Sequence, residues 1–128
     1  MTATPPTTQV DGRGTIRLAW AAERERARDA RTRGDATEEW RHLERAHILS
    51  QPMAWPHLVT HAAMLAAAWR RRDRRELAGQ LLRLRLAVPG SVSGRYPAGN
   101  TGGADVSALQ PMPIPDDLRS LLTLEDPR

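Results

Sequence analysis

The sequence predicts an all-α protein: a four-helix bundle of two antiparallel helix hairpins, with a long Pro/Gly-rich C-terminal loop and a short terminal helix packed on it. Three observations predict this. Apolar residues recur at three- and four-residue steps between Thr15 and Ala87. Two Asp-x-x-Glu signatures, Asp35/Glu38 and Asp73/Glu76, repeat the spacing of a helix capping box 38 positions apart. Prolines and glycines crowd the stretch after Val88, where the helical period is lost.

The elements follow in order. Residues 1–14 carry Pro5, Pro6, Gly12 and Gly14 with little apolar matter, and read as a flexible N-terminal arm. Ile16, Ala19, Trp20, Glu23, Ala27 and Ala30 then trace a first helix, ended by Gly34. Asp35 opens a second, with Trp40, Leu43, His47 and Ser50 on one face. Pro52 and Pro56 bracket a break, and Pro56 suits the first turn of a third helix reaching Arg71. That helix is apolar nearly all round and reads as buried on several sides. The fourth helix starts at Asp73 and is expected to stop near Ala87, before Pro89-Gly90. Leu43 aligns with Leu81 and Ile48 with Leu86, so the two hairpins look like related units, similar in plan to tetratricopeptide repeats but with a longer period. Residues 15–87 thus form the predicted bundle. Residues 88–128 form a loop and a final helix, capped by Asp116, over Leu118, Leu121 and Leu122. Trp20, Trp40 and Trp69 fall on helical stripes and are expected in the core; Trp55 is either a hinge plug or an exposed contact.

Composition excludes several functions. The chain of 128 residues has no cysteine, which removes disulfides, thiolate catalysis and cysteine-ligated metals. There is no apolar run long enough for a membrane span, and no signal-peptide stretch is seen at the N-terminus, so a cytoplasmic protein is expected. The net charge of +4 comes entirely from arginine, which barely titrates. The run Arg70-Arg71-Arg72-Asp73-Arg74-Arg75 reads as a solvated turn whose arginines offset a helix dipole. With no recognition-helix motif beside it, nucleic acid is not an expected partner.

Blocks along the chain carry a resemblance. They are Leu43-Glu44-Arg45-Ala46-His47-Ile48-Leu49-Ser50-Gln51, then His57 and His61, then Gly79-Gln80-Leu81-Leu82-Arg83-Leu84, then Gly94-Arg95-Tyr96-Pro97-Ala98-Gly99-Asn100-Thr101-Gly102, then Met112-Pro113-Ile114-Pro115. This ordered set, from about residue 20 to residue 122, resembles the bacterial family called domain of unknown function 3703 (DUF3703). The resemblance implies a small bacterial protein and no activity, and it assigns no catalytic residue.

The chemistry concentrates in one cluster. Glu44 and His47 are spaced i, i+3, and His57 and His61 are spaced i, i+4, so each pair shares a helical face. The two helices are joined by a short connection and should pack as antiparallel neighbours. Glu44, His47, His57 and His61 therefore make a candidate site for one divalent transition metal: Zn, Cu, Fe or Ni. Met64 continues the stripe but suits the core better. Glu23 is the only further carboxylate within prospect, so a mononuclear site is expected over a di-metal one. The alternative is a hydrogen-bonded network that fixes two helices and binds nothing, in a helical-repeat adaptor for a protein partner. A third reading makes His47 a general base oriented by Glu44, but no nucleophile or oxyanion motif accompanies it, so an enzyme is not the expected reading. His42 falls off the stripe and is expected at the surface. The loop 94–103 lacks P-loop spacing and any lysine. Its Arg95, Tyr96 and Asn100 either act as a lid touching a ligand or satisfy their own turns.

Overall fold

The computed structural model describes residues 12–107 and 109–123, with Val88 and Thr123 described by their backbone alone. The described residues are all-helical with connecting loops. The helices are α1 (Gly12–Thr32), α2 (Ala36–Ser50), α3 (Ala54–Arg71), α4 (Arg74–Ser93) and α5 (Asp116–Thr123). α1 packs along α2, α3 along α4, and α2 against α3, while α5 returns to α1 and α2. The expected N-terminal arm falls mostly outside the described residues, and its last three positions already belong to α1.

Both capping aspartates act as expected. The Asp35 carboxylate accepts from the Glu38 N–H at 3.1 Å and that of Asp73 from the Glu76 N–H at 3.0 Å. The reciprocal half of each box is absent for a local reason. The Asp35 N–H is already donated to the Ala30 carbonyl (2.9 Å), and the Asp73 N–H to that of Ala68 (3.0 Å). Each preceding helix thus closes on the aspartate that starts the next, through Gly34 and Arg72 in left-handed conformation.

Apolar burial forms two patches. Ile16, Ile48, Leu49 and Leu118 pack together, flanked by Trp20, Met53, Ile114, Leu121 and Leu122. Ala27, Leu43, Met64 and Ala67 make the second, with Trp40 and Ala63 against it. Met64 is therefore core, as its position suggested. Trp69 is not: it is 72% exposed. Helix α3 is apolar on more faces than its neighbours cover, and the face carrying Ala62, Ala66 and Trp69 is left outside. Trp55 is also exposed.

Helix α4 departs furthest from expectation. It continues through Pro89 to Ser93 rather than ending near Ala87, and is stopped by Gly94 at φ +70°. A proline costs a helix one hydrogen bond and crowds the previous turn. Here the last turn is tied down from outside, because the Ser91 hydroxyl donates to the Gln51 carbonyl at the α2 terminus at 2.7 Å. The apolar positions that α4 shares with α2 also face the other way. Leu81 and Leu86 point outward, whereas Leu43 and Ile48, their counterparts in α2, are buried. The buried stripe of α4 is Glu76, Gln80, Arg83, Ala87 and Ser91, spaced four, three, four and four. Unpaired, each buried polar group would cost on the order of 1–3 kcal/mol. A helix that turns such a stripe inward must be matched by polar partners, and these stand on α2, α3 and the C-terminal loop.

Candidate metal centre

The partners are histidines. His47 projects from the last turns of α2, His57 and His61 from successive turns of α3, and all three are buried. Their Nε2 atoms form a nearly equilateral triangle: 3.0 Å from His47 to His61, 3.1 Å from His57 to His47, and 3.1 Å from His61 to His57.

What lies behind each ring fixes its tautomer. His47 Nδ1 stands 2.7 Å from the Asn100 carbonyl, which can only accept, so Nδ1 carries the proton. His61 Nδ1 stands 2.7 Å from Gln80 Oε1. The Gln80 amide cannot be flipped, because its Nε2 donates to Glu76 Oε1 (2.6 Å) and to the Gly102 carbonyl (2.7 Å). His57 Nδ1 stands 2.8 Å from Ser91 Oγ, whose own proton goes to Gln51, so the hydroxyl accepts here as well. Three Nδ1–H groups are thus committed outward, and three Nε2 lone pairs are turned on one another.

A proton does not resolve this. Burial, reinforced for His47 by the other two rings, holds its pKa well below the usual imidazole value, and burial brings His57 and His61 down to about 4. At neutral pH the cluster is three neutral imidazoles with three converging lone pairs and no hydrogen between them.

The cluster opens onto a pocket of about 260 Å³, lined by the three histidines with Arg83, Leu86, Arg95, Tyr96 and Asn100 among others. Arg95, Tyr96 and Asn100, singled out in the sequence, are among the residues lining this pocket. Asn100 contributes its backbone carbonyl to His47, and its side chain organises the loop, donating to the carbonyls of Ser107 (2.9 Å) and Gln110 (2.7 Å) and accepting from the Gly102 N–H (2.9 Å). Gln51, closing α2, holds the same loop through the Pro97 carbonyl and the Gly99 N–H.

Glu44 is placed differently. The group whose ligand atoms lie within 4.8 Å of one another comprises His47, His57 and His61, without Glu44. Glu44 is half-buried, hydrogen-bonded to Thr101, and its pKa is pushed up to about 6 by burial and then by the charges of Asp105 and Glu76. Its carboxylate is held by the loop at Thr101 and not by the three Nε2 atoms. Glu23 is also elsewhere. It is buried on α1, where it accepts from Arg45 at 2.9 Å and pairs with His42 at 2.6 Å. His42, expected at the surface, is half-buried because this carboxylate draws it in.

Sequence reasoning missed Gln80, Ser91 and Arg83 as residues of the site. The signal existed: their polar stripe, read at helical spacing along α4, is the one that matches no apolar core.

A family model described as protein of unknown function (DUF3703) matches residues 14–122. No curated protein and no solved structure matches the chain.

Proposed function

The chain belongs to the DUF3703 family, and we propose that it binds one divalent transition metal through the Nε2 atoms of His47, His57 and His61, in a metal-handling or metal-sensing role. The observation that carries this is the convergence of three bare Nε2 lone pairs at 3.0–3.1 Å while every Nδ1–H is spent on an acceptor behind it. Neutral imidazoles gain nothing from that arrangement; their lone pairs repel. A cation reverses the sign of the interaction.

The spacing suits an ion. With metal–nitrogen bonds of about 2.0–2.1 Å, cis ligands stand roughly 2.9 Å apart in an octahedron and roughly 3.3 Å apart in a tetrahedron. The observed separations fall between the two. The outward Nδ1–H bonds are the kind of support that fixes a ligating histidine's tautomer and orientation. With no thiolate and three imidazoles, Zn, Cu, Fe and Ni all fit the donor set. Three protein ligands leave coordination positions open, and the pocket lies on the same histidines. Glu44 is the sequence-expected fourth ligand; in this reading it stays outside the coordination sphere and holds the Thr101 turn.

A second reading, a helical-repeat adaptor for a protein partner, is favoured by the outer apolar surface of α3 and α4, where Trp69 and Leu81 stand exposed over a shallow groove with Leu65 and Leu77. The order of helix contacts fits a four-helix bundle of two hairpins, tetratricopeptide-like in plan. In this reading the histidines only join α2 to α3.

Elemental analysis of the protein purified without a histidine tag separates the two. The metal reading expects about one ion per chain, retained through dialysis, and its loss in the double variant His57→Ala/His61→Ala. No ion in the purified protein, and no thermal stabilisation on adding Zn, Cu or Ni, would leave the adaptor reading standing alone.

A further inference from the structure

The buried stripe of α4 contains one charge that the histidine cluster does not use. Arg83 is 7% exposed and lines the same pocket as His47, His57 and His61. Two of its nitrogens hold backbone: Nη1 donates to the Gly79 carbonyl at 3.1 Å and Nη2 to the Val106 carbonyl at 2.7 Å. Its Nε–H is buried and finds no acceptor among the described residues. A buried N–H left without a partner costs on the order of 1–3 kcal/mol, and native structures rarely retain one without a reason. The guanidinium is near enough to the histidines that its charge lowers the pKa of both His47 and His61. Room for it is made by Gly79, where a Cβ would come within 2.9 Å of Nη1.

The charge balance points the same way. Three neutral imidazoles leave a divalent ion with its full double charge, and Arg83 adds a third positive charge in the same pocket. Glu76 and Asp105 offset the Arg83 charge, which leaves the double charge of the ion itself without an anionic ligand. Glu76 accepts from Gln80 and, with both oxygens, from the Ala104 N–H at 2.8 and 3.0 Å. Asp105 is exposed, and Glu44 faces Thr101. An open metal face in a pocket of about 260 Å³ that Arg83 also lines, with one guanidinium N–H unpartnered, suits a small anion with two adjacent oxygens.

Resting on the metal reading above, we infer that the ligand completing the coordination sphere is a small carboxylate, one oxygen on the metal and the other accepting from Arg83 Nε–H. The pocket selects for charge and for a second acceptor atom. A neutral amide of the same shape, which brings one carbonyl and no charge, is rejected.

The test uses the full chain loaded with Co(II), its metal content measured first, and titrated with acetate and separately with acetamide. Acetate is expected to shift the visible cobalt spectrum at millimolar concentration and to move the Arg83 Nε–H resonance in the same titration, while acetamide does neither. Arg83→Gln, with its cobalt content measured alongside, is expected to bind acetate at least tenfold more weakly; Arg83→Lys is expected to fall between. If that variant fails to fold or to hold cobalt, the Nε–H resonance of the unaltered protein decides. Cobalt bound with acetate and acetamide acting alike, or acetate acting without moving the Arg83 resonance, overturns the carboxylate while leaving the metal site intact. Failure to take up cobalt at all overturns both.

Discussion

Gly102 lies flat against the ring of His47: a Cβ at this position would stand 2.7 Å from both Cγ and Cδ2 of the imidazole. The residue also has φ +84°, and its carbonyl receives the Gln80 amide. One glycine therefore seats the loop on the first histidine and orients the acceptor for the third. Gly102→Ala is expected to cost about 2–4 kcal/mol from backbone strain and overpacking together, and to weaken metal binding because His47 must turn. Gly34→Ala is the control: φ is +72° but nothing lies within 4 Å of the added carbon. It should cost only about 1–2 kcal/mol and leave metal affinity unchanged. Chemical denaturation and metal titration of both variants check this.

Gln80 offers a cleaner separation of support from ligation. Gln80→Leu keeps the volume near His61 but removes the acceptor of its Nδ1–H. The ring can then adopt the other tautomer or turn. Metal affinity is expected to drop by roughly 10–100-fold, the usual range for loss of a group behind a ligating histidine. Competition with a chelating dye measures it, and an unchanged affinity would show that the Gln80 contact does not position the ring.

The metal-free protein should lose stability in acid, and the sign follows from the lowered histidine values. In the unfolded chain these imidazoles titrate near 6.5; folded, His57 and His61 do so at about 4 and His47 well below 6.5. Between those limits the unfolded state binds more protons, so stability is complete above about pH 6.5 and is lost as the pH falls toward 4. For His57 alone the loss is on the order of 3 kcal/mol. Glu44 works in the opposite direction: its pKa is raised to about 6, so its contribution is lost as the pH rises through 6. Three lowered histidines outweigh one raised, half-exposed carboxyl. Urea midpoints measured from pH 4 to 8 should therefore fall steeply below 6.5, and a flat profile would contradict the burial of the cluster.

The Glu23 network is expected to matter for folding and not for metal. Glu23→Ala strips a buried partner from both Arg45 and His42, while Arg45 keeps its pairing with Asp117. Leaving these part-buried groups short of a hydrogen-bond partner costs about 1–3 kcal/mol. Metal stoichiometry should stay at that of the unaltered protein, since neither Glu23 nor His42 belongs to the converging group. A loss of metal in a folded Glu23→Ala protein would place this carboxylate in the site.

The histidine triad was legible because each member obeys a local rule: His57 and His61 sit one turn apart on a single helix, and a short connection brings the face of His47 toward them. Glu44 shared that logic, yet its carboxylate bonds to Thr101, in a loop whose path no periodicity encodes. The same loop supplies Asn100 and Gly102, at separations from His47 that only the folded chain defines. Pattern also failed on α4. Leu81 and Leu86 repeat the apolar positions of α2, yet they lie on the outer face of α4. The cost of burying Glu76, Gln80, Arg83 and Ser91 would forbid this in isolation, and only their partners on α2, α3 and the loop make it possible. The polar face won because it is paired, and Trp69 lies outside because α3 has more apolar surface than two neighbouring helices can cover.

Long-range proton–nitrogen correlation spectra of the histidine rings, recorded at neutral pH before and after one equivalent of Zn, test the central claim most directly. The account predicts that His47, His57 and His61 all begin as Nδ1–H tautomers with bare Nε2 atoms. Their three Nε2 signals should then shift together and saturate at one ion per chain, while His42 does not move. A proton on any of those Nε2 atoms in the metal-free protein, or three spectra unchanged by Zn, would contradict it.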